Sequence, residues 1–294
     1  MNSVLVLMST YNGEKYLSAQ IYSLLDQNDV DINILIRDDG SKDSTIEIIK
    51  NFSQKYKNIK YYMGQNLGFA NSFWNLILNA GTYDYYAFCD QDDIWDNRKI
   101  SEAIKKIESV KNDVPILYTS NVSFIDSDGN KIKRPEFESG VLSVYQALQK
   151  SILPGCTFLF NYKAFNILKK YQGSMYAHDW ATYIIISAFG KVIYDSKNYI
   201  YYRVHNNNTI GINNKMQFLA QKIKLLCRKS DCVRMHFAKD FYDTYNMDIK
   251  DDELKKEVYL LGHYQDCLKY KIKILFSKNF KGLFFKIYLI LNRV

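Results

Sequence analysis

The first half of the chain alternates short apolar runs with segments of helical periodicity. Residues 4–8 (VLVLM) form a continuous apolar run, which is the pattern of a parallel strand buried on both faces. The predicted strands of this half cover residues 4–8, 32–36, about 60–63 and 85–89. The predicted helices between them cover residues 16–25, 45–56 and about 70–79. We therefore expect an α/β fold with a mostly parallel sheet flanked by helices, because strand, crossover helix and strand repeat.

The second half has a more mixed pattern. Its predicted strands cover residues 116–118, 157–160, 192–194 and 199–204, and the sequence DSDGN at 126–130 predicts a turn between two strands. An apolar helix is predicted to begin at His178. From about residue 215 the chain reads as helical and basic. We expect a catalytic domain over 1–213 and a helical, basic C-terminal region over 214–294.

Composition and charge sharpen this division. Of the 294 residues, 47% are hydrophobic and 24% charged, so a packed core is expected. The net charge of +8 arises entirely in residues 215–294, where 17 basic residues outnumber 9 acidic ones. The five cysteines form no CxxC pair, which argues against a disulfide framework or a zinc site and favours a reducing compartment. With no signal-peptide pattern and no long apolar segment in the sequence, we expect a cytoplasmic protein.

Polar clusters follow the first four predicted strands, where each strand ends. They are STYNG at 9–13, DDGS at 38–41, NLGF at 66–69 and DQDD at 90–93. Because ligands bind at the carboxyl edge of open α/β sheets, these loops predict one shared site. Three carboxylates within DQDD repel one another, and oxygen ligands of this type suit Mg²⁺ or Mn²⁺. The alternative is a solvated acidic turn.

Four segments in this order resemble family 2 glycosyltransferases over roughly residues 3–210. They are STYNGEKYL, RDDGSKDST, NLGFANSFW and FCDQDDIWDNRKI. The resemblance implies a GT-A fold and inverting transfer of a sugar from a nucleoside diphosphate donor. The segments DQDDIW, HDW and YRVHNNNTIG look most like bacterial enzymes of surface polysaccharide (O-antigen or capsule) synthesis, including rhamnosyltransferases. Such enzymes use acceptors carried on polyprenyl diphosphate lipid.

The resemblance also implies which residues bind the nucleotide. They are Thr10, Tyr11, Asn12, Asp38, Asp39, Gly68, Asn71, Asp90 and Gln91. One carboxylate of the Asp38–Asp39 pair is expected to accept a hydrogen bond from the imide N–H of a pyrimidine, which selects UDP or dTDP.

The resemblance implies a metal site and a catalytic base. Asp90, Asp92 and His205 are the expected ligands of Mn²⁺ or Mg²⁺ on the diphosphate. Asp179 matches the catalytic base of the family's acidic motif, in which the preceding residue is usually Glu and here is His178. Taken without the resemblance, Asp179 at a helix start reads as an N-cap, and His205 reads as part of an Asn-rich surface loop.

The acceptor and sugar side of the site is the least defined. The expected residues are Trp95, Gly155, His178, Trp180 and Arg203. Gly155 matches a small residue under the acceptor's path, and Arg203 has the geometry to pair with phosphate. The two tryptophans suit stacking on a sugar face, with core packing as the equal alternative.

The last 28 residues interleave lysine with large apolar side chains and contain no acidic residue. Read as a helix from Gly282, they place Leu283, Phe284, Ile287, Tyr288, Ile290 and Leu291 on one apolar face. This pattern predicts association with the inner face of the membrane, and packing on the catalytic domain is the alternative.

Three other functions are alternatives to sugar transfer. A nucleotidyltransferase needs a Gly-rich, basic phosphate loop after the first strand, which STYNGEKY does not provide. A non-catalytic sugar-binding protein does not need Asp90 and Asp92 together with Asp179. Nucleic-acid binding is disfavoured by the apolar residues between the lysines of the tail.

Overall fold

The computed structural model describes residues 1–110, 113–133, 142–150, 153–205 and 232–294. The chain forms two compact units. The first comprises residues 1–142, 152–169 and 175–205, and the second comprises 143–151, 170–174 and 206–294. The domain boundary expected near residue 213 lies outside the described residues, as do residues 206–211 of the YRVHNNNTIG segment.

The first unit is built on one mixed sheet. Its strands are β1 (Ser3–Thr10), β2 (Asp31–Asp38), β3 (Ile59–Met63), β4 (Tyr85–Cys89), β5 (Ile94–Trp95), β6 (Ile116–Ile125), β7 (Lys131–Ile132), β8 (Leu159–Asn161) and β9 (Lys191–Arg203). Their order is β3-β2-β1-β4-β8-β6-β9-β5, with β7 paired to β6. Pairing is parallel from β3 to β4 and between β6 and β9, whereas β8 runs antiparallel to both of its neighbours.

The helices of the first unit cover the sheet. They are α1 (Leu17–Leu25), α2 (Thr45–Lys55), α3 (Phe69–Asn79), α4 (Lys99–Glu108), α6 (Tyr162–Leu168) and α7 (His178–Phe189). Strand β1 is apolar throughout because it lies in the middle of the sheet, where Val4, Val6 and Met8 are fully buried. Helix α4 buries Ile100, Ile104 and Ile107 at helical spacing.

The strand register determines where the functional loops meet. Thr10 at the end of β1 lies opposite Asp38 at the end of β2, and Met8 lies opposite Cys89, which precedes Asp90. The loops after β1, β2 and β4 therefore leave the sheet at one edge, as the sequence predicted.

Three predicted strands of the second half differ from the structure. The segment at 157–160 begins as a 3₁₀ turn at Gly155–Thr157, and β8 starts only at Leu159. The strands expected at 192–194 and 199–204 form one long strand, β9, whose pairing with β6 shifts register around Asn121. The irregular pairing accommodates the polar residues between these two segments, which in the sequence resembled a break between strands.

The second unit is helical. Its helices are α5 (Val144–Gln149), α8 (Val233–Tyr245), α9 (Asp252–Gly262), α10 (Leu268–Leu275) and α11 (Leu283–Ile290). Its core contains stacked aromatic rings from Tyr171, Phe237, Phe241 and Tyr245. None of the described helices combines the length and apolarity needed to cross a bilayer.

Candidate active site

The loop after β1 is tied to the loop after β4 by one amide side chain. Gln91 Oε1 accepts a hydrogen bond from Tyr11 N (2.9 Å), and its Nε2 donates to Tyr11 O (3.1 Å). Asn12 adopts a left-handed conformation, accepts from Lys42 N and donates its own N–H to Ser41 Oγ. The expected nucleotide residues of three loops are thus joined directly to one another.

Asp38 is saturated by bonds within the protein. Its Oδ2 accepts from the backbone N–H groups of Gly40 and Ser41, and its Oδ1 accepts from the hydroxyl groups of Thr10 and Ser41. A carboxylate offers about four lone-pair positions, and all four are occupied here. Asp38 and Thr10 therefore shape the loop from a buried position.

Asp39 has one acceptor position left among the described residues. Its Oδ1 accepts from Arg37 Nη1 and from Leu67 N, whereas its Oδ2 accepts only from Gly68 N at 2.9 Å. The buried Arg37 guanidinium also donates to Ser72 Oγ and Gln65 O, so it fixes the orientation of the carboxylate. Both acidic residues are buried, and Asp39 is the one whose carboxylate has an acceptor position left.

Gly68 and Asn71 lie at the start of α3. Gly68 has φ 77°, a left-handed conformation that glycine adopts at least cost, and this turns its N–H towards Asp39. Asn71 lies on the exposed side of the helix and donates to Leu67 O at 3.2 Å.

The DQDD loop brings carboxylates and an imidazole together. Asp92 Oδ2 lies 2.7 Å from His205 Nε2, and the ring of Tyr16 stacks on the imidazole with centroids 5.2 Å apart. Burial, together with the charges of Asp92 and Asp179, raises the pKa of Asp90 to about 7. Crowded carboxylates beside a ring nitrogen form an oxygen and nitrogen donor set that fits a hard divalent cation, whose charge would relieve their repulsion.

A second group of polar atoms lies beneath this loop. Asp93 is buried; its Oδ1 accepts from Arg203 N, and its Oδ2 has no hydrogen-bond partner among the described residues. The ligand atoms of Asp90, Asp93 and Cys156 lie within 4.8 Å of one another. The fully buried Lys99 ammonium lies 3.5 Å from the centroid of the Trp95 ring. Burial lowers the Lys99 pKa to about 8, and Lys99 adds positive charge beneath the acidic loop.

Asp179 is in the first turn of α7, one residue after His178. The N-cap position belongs to Ala177, so Asp179 does not have the capping role that a lone Asp at a helix start suggests. Its Oδ1 accepts from Trp180 N at 2.7 Å, and burial raises its pKa. A carboxylate with a raised pKa is a better proton acceptor than an ordinary surface carboxylate.

Gly155 makes room for this pair. A Cβ atom added at Gly155 would lie 2.8 Å from Asp179 Cβ and 3.2 Å from His178 Nε2. The next residue, Cys156, reaches the acidic group at Asp90 and Asp93. The 3₁₀ turn at Gly155–Thr157 therefore links the expected base to the expected metal loop, and Gly155 is needed for the position of Asp179 itself.

Three residues expected on the acceptor side have other surroundings. Arg203 is buried, and its guanidinium donates to the backbone carbonyls of Asp92, Asp126 and Ser127. The expectation that Arg203 pairs with phosphate is wrong, because its guanidinium is bonded to backbone carbonyls and supports the DQDD loop. The side chains of Trp95 and Trp180 are 3% and 6% exposed, which favours core packing over stacking on a sugar.

Three residues of the site were not predicted from the sequence. Arg37 orients Asp39, Lys99 lies under the acidic loop, and Tyr16 contacts both His205 and the Arg203 guanidinium. Arg37 had a visible signal, since it is a charged residue directly after the apolar run at 34–36. Lys99 and Tyr16 had none, because both lie at ordinary positions of helical segments.

The fold is that of the GT-A glycosyltransferases. The sequence model for "Glycosyl transferase family 2" matches residues 5–169, and the chain belongs to this family. It is 33% identical over 235 residues to dTDP-rhamnosyl transferase RfbG of Shigella flexneri. The aligned region covers 76% of this chain and 80% of that protein. It is also 36% identical over 138 residues to the uncharacterized glycosyltransferase MJ1057 of Methanocaldococcus jannaschii, covering 45% and 47% of the two chains.

Solved structures share the fold. TarS 1–349 of S. aureus in complex with UDP-GlcNAc has a TM-score of 0.57 at 15% identity, over 99% of this chain and 92% of that one. The mannosyltransferase PcManGT of Pyrobaculum calidifontis, in complex with GDP-Man and Mn²⁺, has a TM-score of 0.51 at 13% identity, over 98% and 84%.

Proposed function

We propose that this enzyme is an inverting, metal-dependent glycosyltransferase that transfers a sugar from dTDP or UDP to a glycan acceptor in bacterial surface polysaccharide (O-antigen or capsule) synthesis. Rhamnose is the leading donor sugar, because the relative from Shigella flexneri bears the name dTDP-rhamnosyl transferase. The observation that carries the proposal is the presence of three groups in the first unit: the buried Asp39 carboxylate, whose Oδ2 accepts one hydrogen bond among the described residues, the Asp92–His205 pair, and Asp179 beside Gly155.

Each group has a proposed role. Asp39 Oδ2 accepts the imide N–H of thymine or uracil, and Tyr11, Asn12, Gly68, Asn71 and Gln91 form the walls around the nucleotide. Asp92 and His205, with Asp90, would hold Mn²⁺ or Mg²⁺. When bound, the ion supplies positive charge for the diphosphate leaving group.

The transfer itself is a single displacement. Asp179 takes the proton of the acceptor hydroxyl while the acceptor oxygen bonds to the anomeric carbon. The bond from that carbon to the diphosphate oxygen breaks on the opposite face, and the electron pair leaves with the nucleoside diphosphate. One displacement inverts the anomeric centre. A positioned base contributes about 10²–10⁴ in rate.

The acceptor is proposed to be a glycan on polyprenyl diphosphate, with the enzyme at the cytoplasmic face of the membrane. The basic and apolar C-terminal residues support this part of the proposal, because such segments bind anionic lipid surfaces. A non-catalytic sugar-binding protein on the same fold is the alternative.

A donor screen tests the proposal. We expect dTDP- or UDP-sugars to raise the melting temperature of the protein only when Mn²⁺ or Mg²⁺ is present, whereas GDP-sugars do not. Asp179→Asn is expected to keep this shift and to lose about 10²-fold or more of the transfer rate.

Either of two results would contradict it. If no pyrimidine nucleotide-sugar shifts the melting temperature in the presence of metal, the assigned nucleotide site is refuted. If Asp179→Asn transfers sugar at nearly the wild-type rate, the assignment of Asp179 as the base is refuted. A metal-dependent shift with no transfer to any lipid-linked glycan favours the sugar-binding alternative.

A further inference from the structure

The C-terminal helices expose an apolar surface that the core of the second unit does not use. Leu268 and Ile272 of α10 and Phe276 at its C-cap occur at every fourth position, and at helical spacing they fall within about 80° of one another around the helix axis. Leu268 is 71% exposed and Phe276 is 84% exposed, whereas Ile274 on the opposite side is buried. Exposed apolar side chains aligned along one helix mark a binding surface rather than a core.

Helix α11 has two apolar faces with different roles. Phe285 and Leu289 are buried. Leu283, Phe284, Ile290 and Leu291 are exposed on the other side of the helix. One face of this helix is thus packed in the protein, and the opposite apolar face is exposed.

The exposed apolar side chains of α10 and α11 lie near each other, and lysines lie beside both groups. Lys271 of α10 donates to Ile290 O (2.7 Å) and Asn292 Oδ1 (2.9 Å) at the end of α11. Lys269 and Lys273 flank the exposed apolar side chains of α10, and Lys281 precedes α11; all three are exposed. No acidic side chain occurs after Asp266.

We infer that the exposed faces of α10 and α11 dock on an anionic phospholipid bilayer. Apolar side chains enter the interface while the lysines beside them reach the lipid headgroups. A second copy of this surface would place lysines against lysines, which repel one another. Nucleic acid has no apolar layer into which Leu268 or Leu283 could insert. The inference deepens the proposed function, on which it rests for its purpose, because it defines how the enzyme meets a lipid-linked acceptor.

Vesicle flotation of the full chain tests the surface. The protein is expected to float with vesicles of phosphatidylcholine and phosphatidylglycerol, less so with phosphatidylcholine alone, and less at high salt. The triple variant Leu268→Ser, Phe276→Ser and Leu283→Ser is expected to bind at least about tenfold more weakly. Lys269→Gln, Lys273→Gln and Lys281→Gln are expected to cost about fivefold per charge.

Matched controls lie in the same unit. Met247 is 89% exposed between α8 and α9, so Met247→Ser removes an exposed apolar side chain outside the surface. Lys250→Gln with Lys256→Gln does the same for charge. Both controls are expected to bind vesicles as the wild type does, and all variants are expected to keep its melting temperature.

Equal flotation of the wild type and the apolar triple variant would overturn the inference, as would a wild type that does not float. A concentration-dependent dimer broken by the triple variant, without vesicle binding, would assign the surface to a second copy. Donor-induced thermal shift is measured on the same samples. Lost vesicle binding with intact donor binding refutes only the docking surface, and lost donor binding with intact flotation refutes only the proposed transferase.

Discussion

His178 precedes the proposed base, and its surroundings determine whether it carries charge. Its imidazole stacks on Phe73 with centroids 4.0 Å apart and meets the edge of Phe88 at 4.8 Å. Its Nδ1 has no hydrogen-bond partner among the described residues. Burial lowers the pKa of His178 from 6.5 to about 3. The residue in place of the usual Glu is therefore a neutral ring, so Asp179 has no second carboxylate beside it in the motif.

This neutral state predicts a pH dependence of stability. Below pH 6.5 the unfolded chain protonates His178 and the folded protein does not, so the unfolding free energy falls as pH decreases towards about 3. Above pH 6.5 the ring is neutral in both states, so the stability lost at lower pH is fully present there. The slope from one such group is about 1.4 kcal/mol per pH unit.

Urea unfolding of the wild type and of His178→Phe at about pH 6.5 and about pH 4.5 measures this contribution. The phenylalanine keeps the ring packing and removes the titrating group, so the stability of the variant is expected to fall less over this range. Equal losses in the two proteins would show that His178 titrates normally.

At the scale of elements, the end of β9 holds the DQDD loop in place. Arg203 N donates to Asp93 Oδ1, Arg203 Nε donates to Asp92 O, and two residues later His205 reaches the carboxylate of Asp92. The same guanidinium donates to two carbonyls of the turn at 126–129. One side chain thus joins a strand, a turn and the DQDD loop.

Arg203→Lys is expected to weaken metal binding about 10–100-fold, because an ammonium cannot donate to three carbonyls from one plane and such supporting contacts orient the ligands. The measurement is a Mn²⁺ titration of donor-induced thermal shift. Arg98→Lys is the matched control, since the Arg98 guanidinium is exposed and donates only to Asp96 among the described residues. A Mn²⁺ midpoint unchanged in Arg203→Lys would contradict the positioning role.

The elements also show what the sequence was able to predict. Parallel strands separated by helices require their carboxyl ends to meet, so the shared edge of Thr10, Asp38 and Asp90 followed from pattern alone. Side-chain partners did not follow. Whether Arg203 meets phosphate or backbone carbonyls, and whether Trp95 meets a sugar or Lys99, depends on packing between distant segments. Spacing along one chain does not encode such contacts.

On the scale of the whole molecule, charge and chemistry are divided between the two units. Every proposed nucleotide, metal and base residue belongs to the first unit. Residues 1–214, which contain all of the first unit, are neutral overall. The excess positive charge falls in residues 215–294, in the part of the sequence assigned to the second unit. A donor is therefore expected to act on one unit and a lipid surface on the other.

Hydrogen exchange followed by mass spectrometry tests this division. Donor with Mn²⁺ is expected to slow exchange in peptides that contain residues 10–13, 38–41, 66–71 and 90–93, because ligand binding suppresses local opening where the contacts form. Peptides from α10 and α11 are expected to be unchanged by donor and protected by anionic vesicles. Donor-dependent protection in α10 or α11 would contradict the division, because nucleotide contacts would then extend beyond the residues of the first unit.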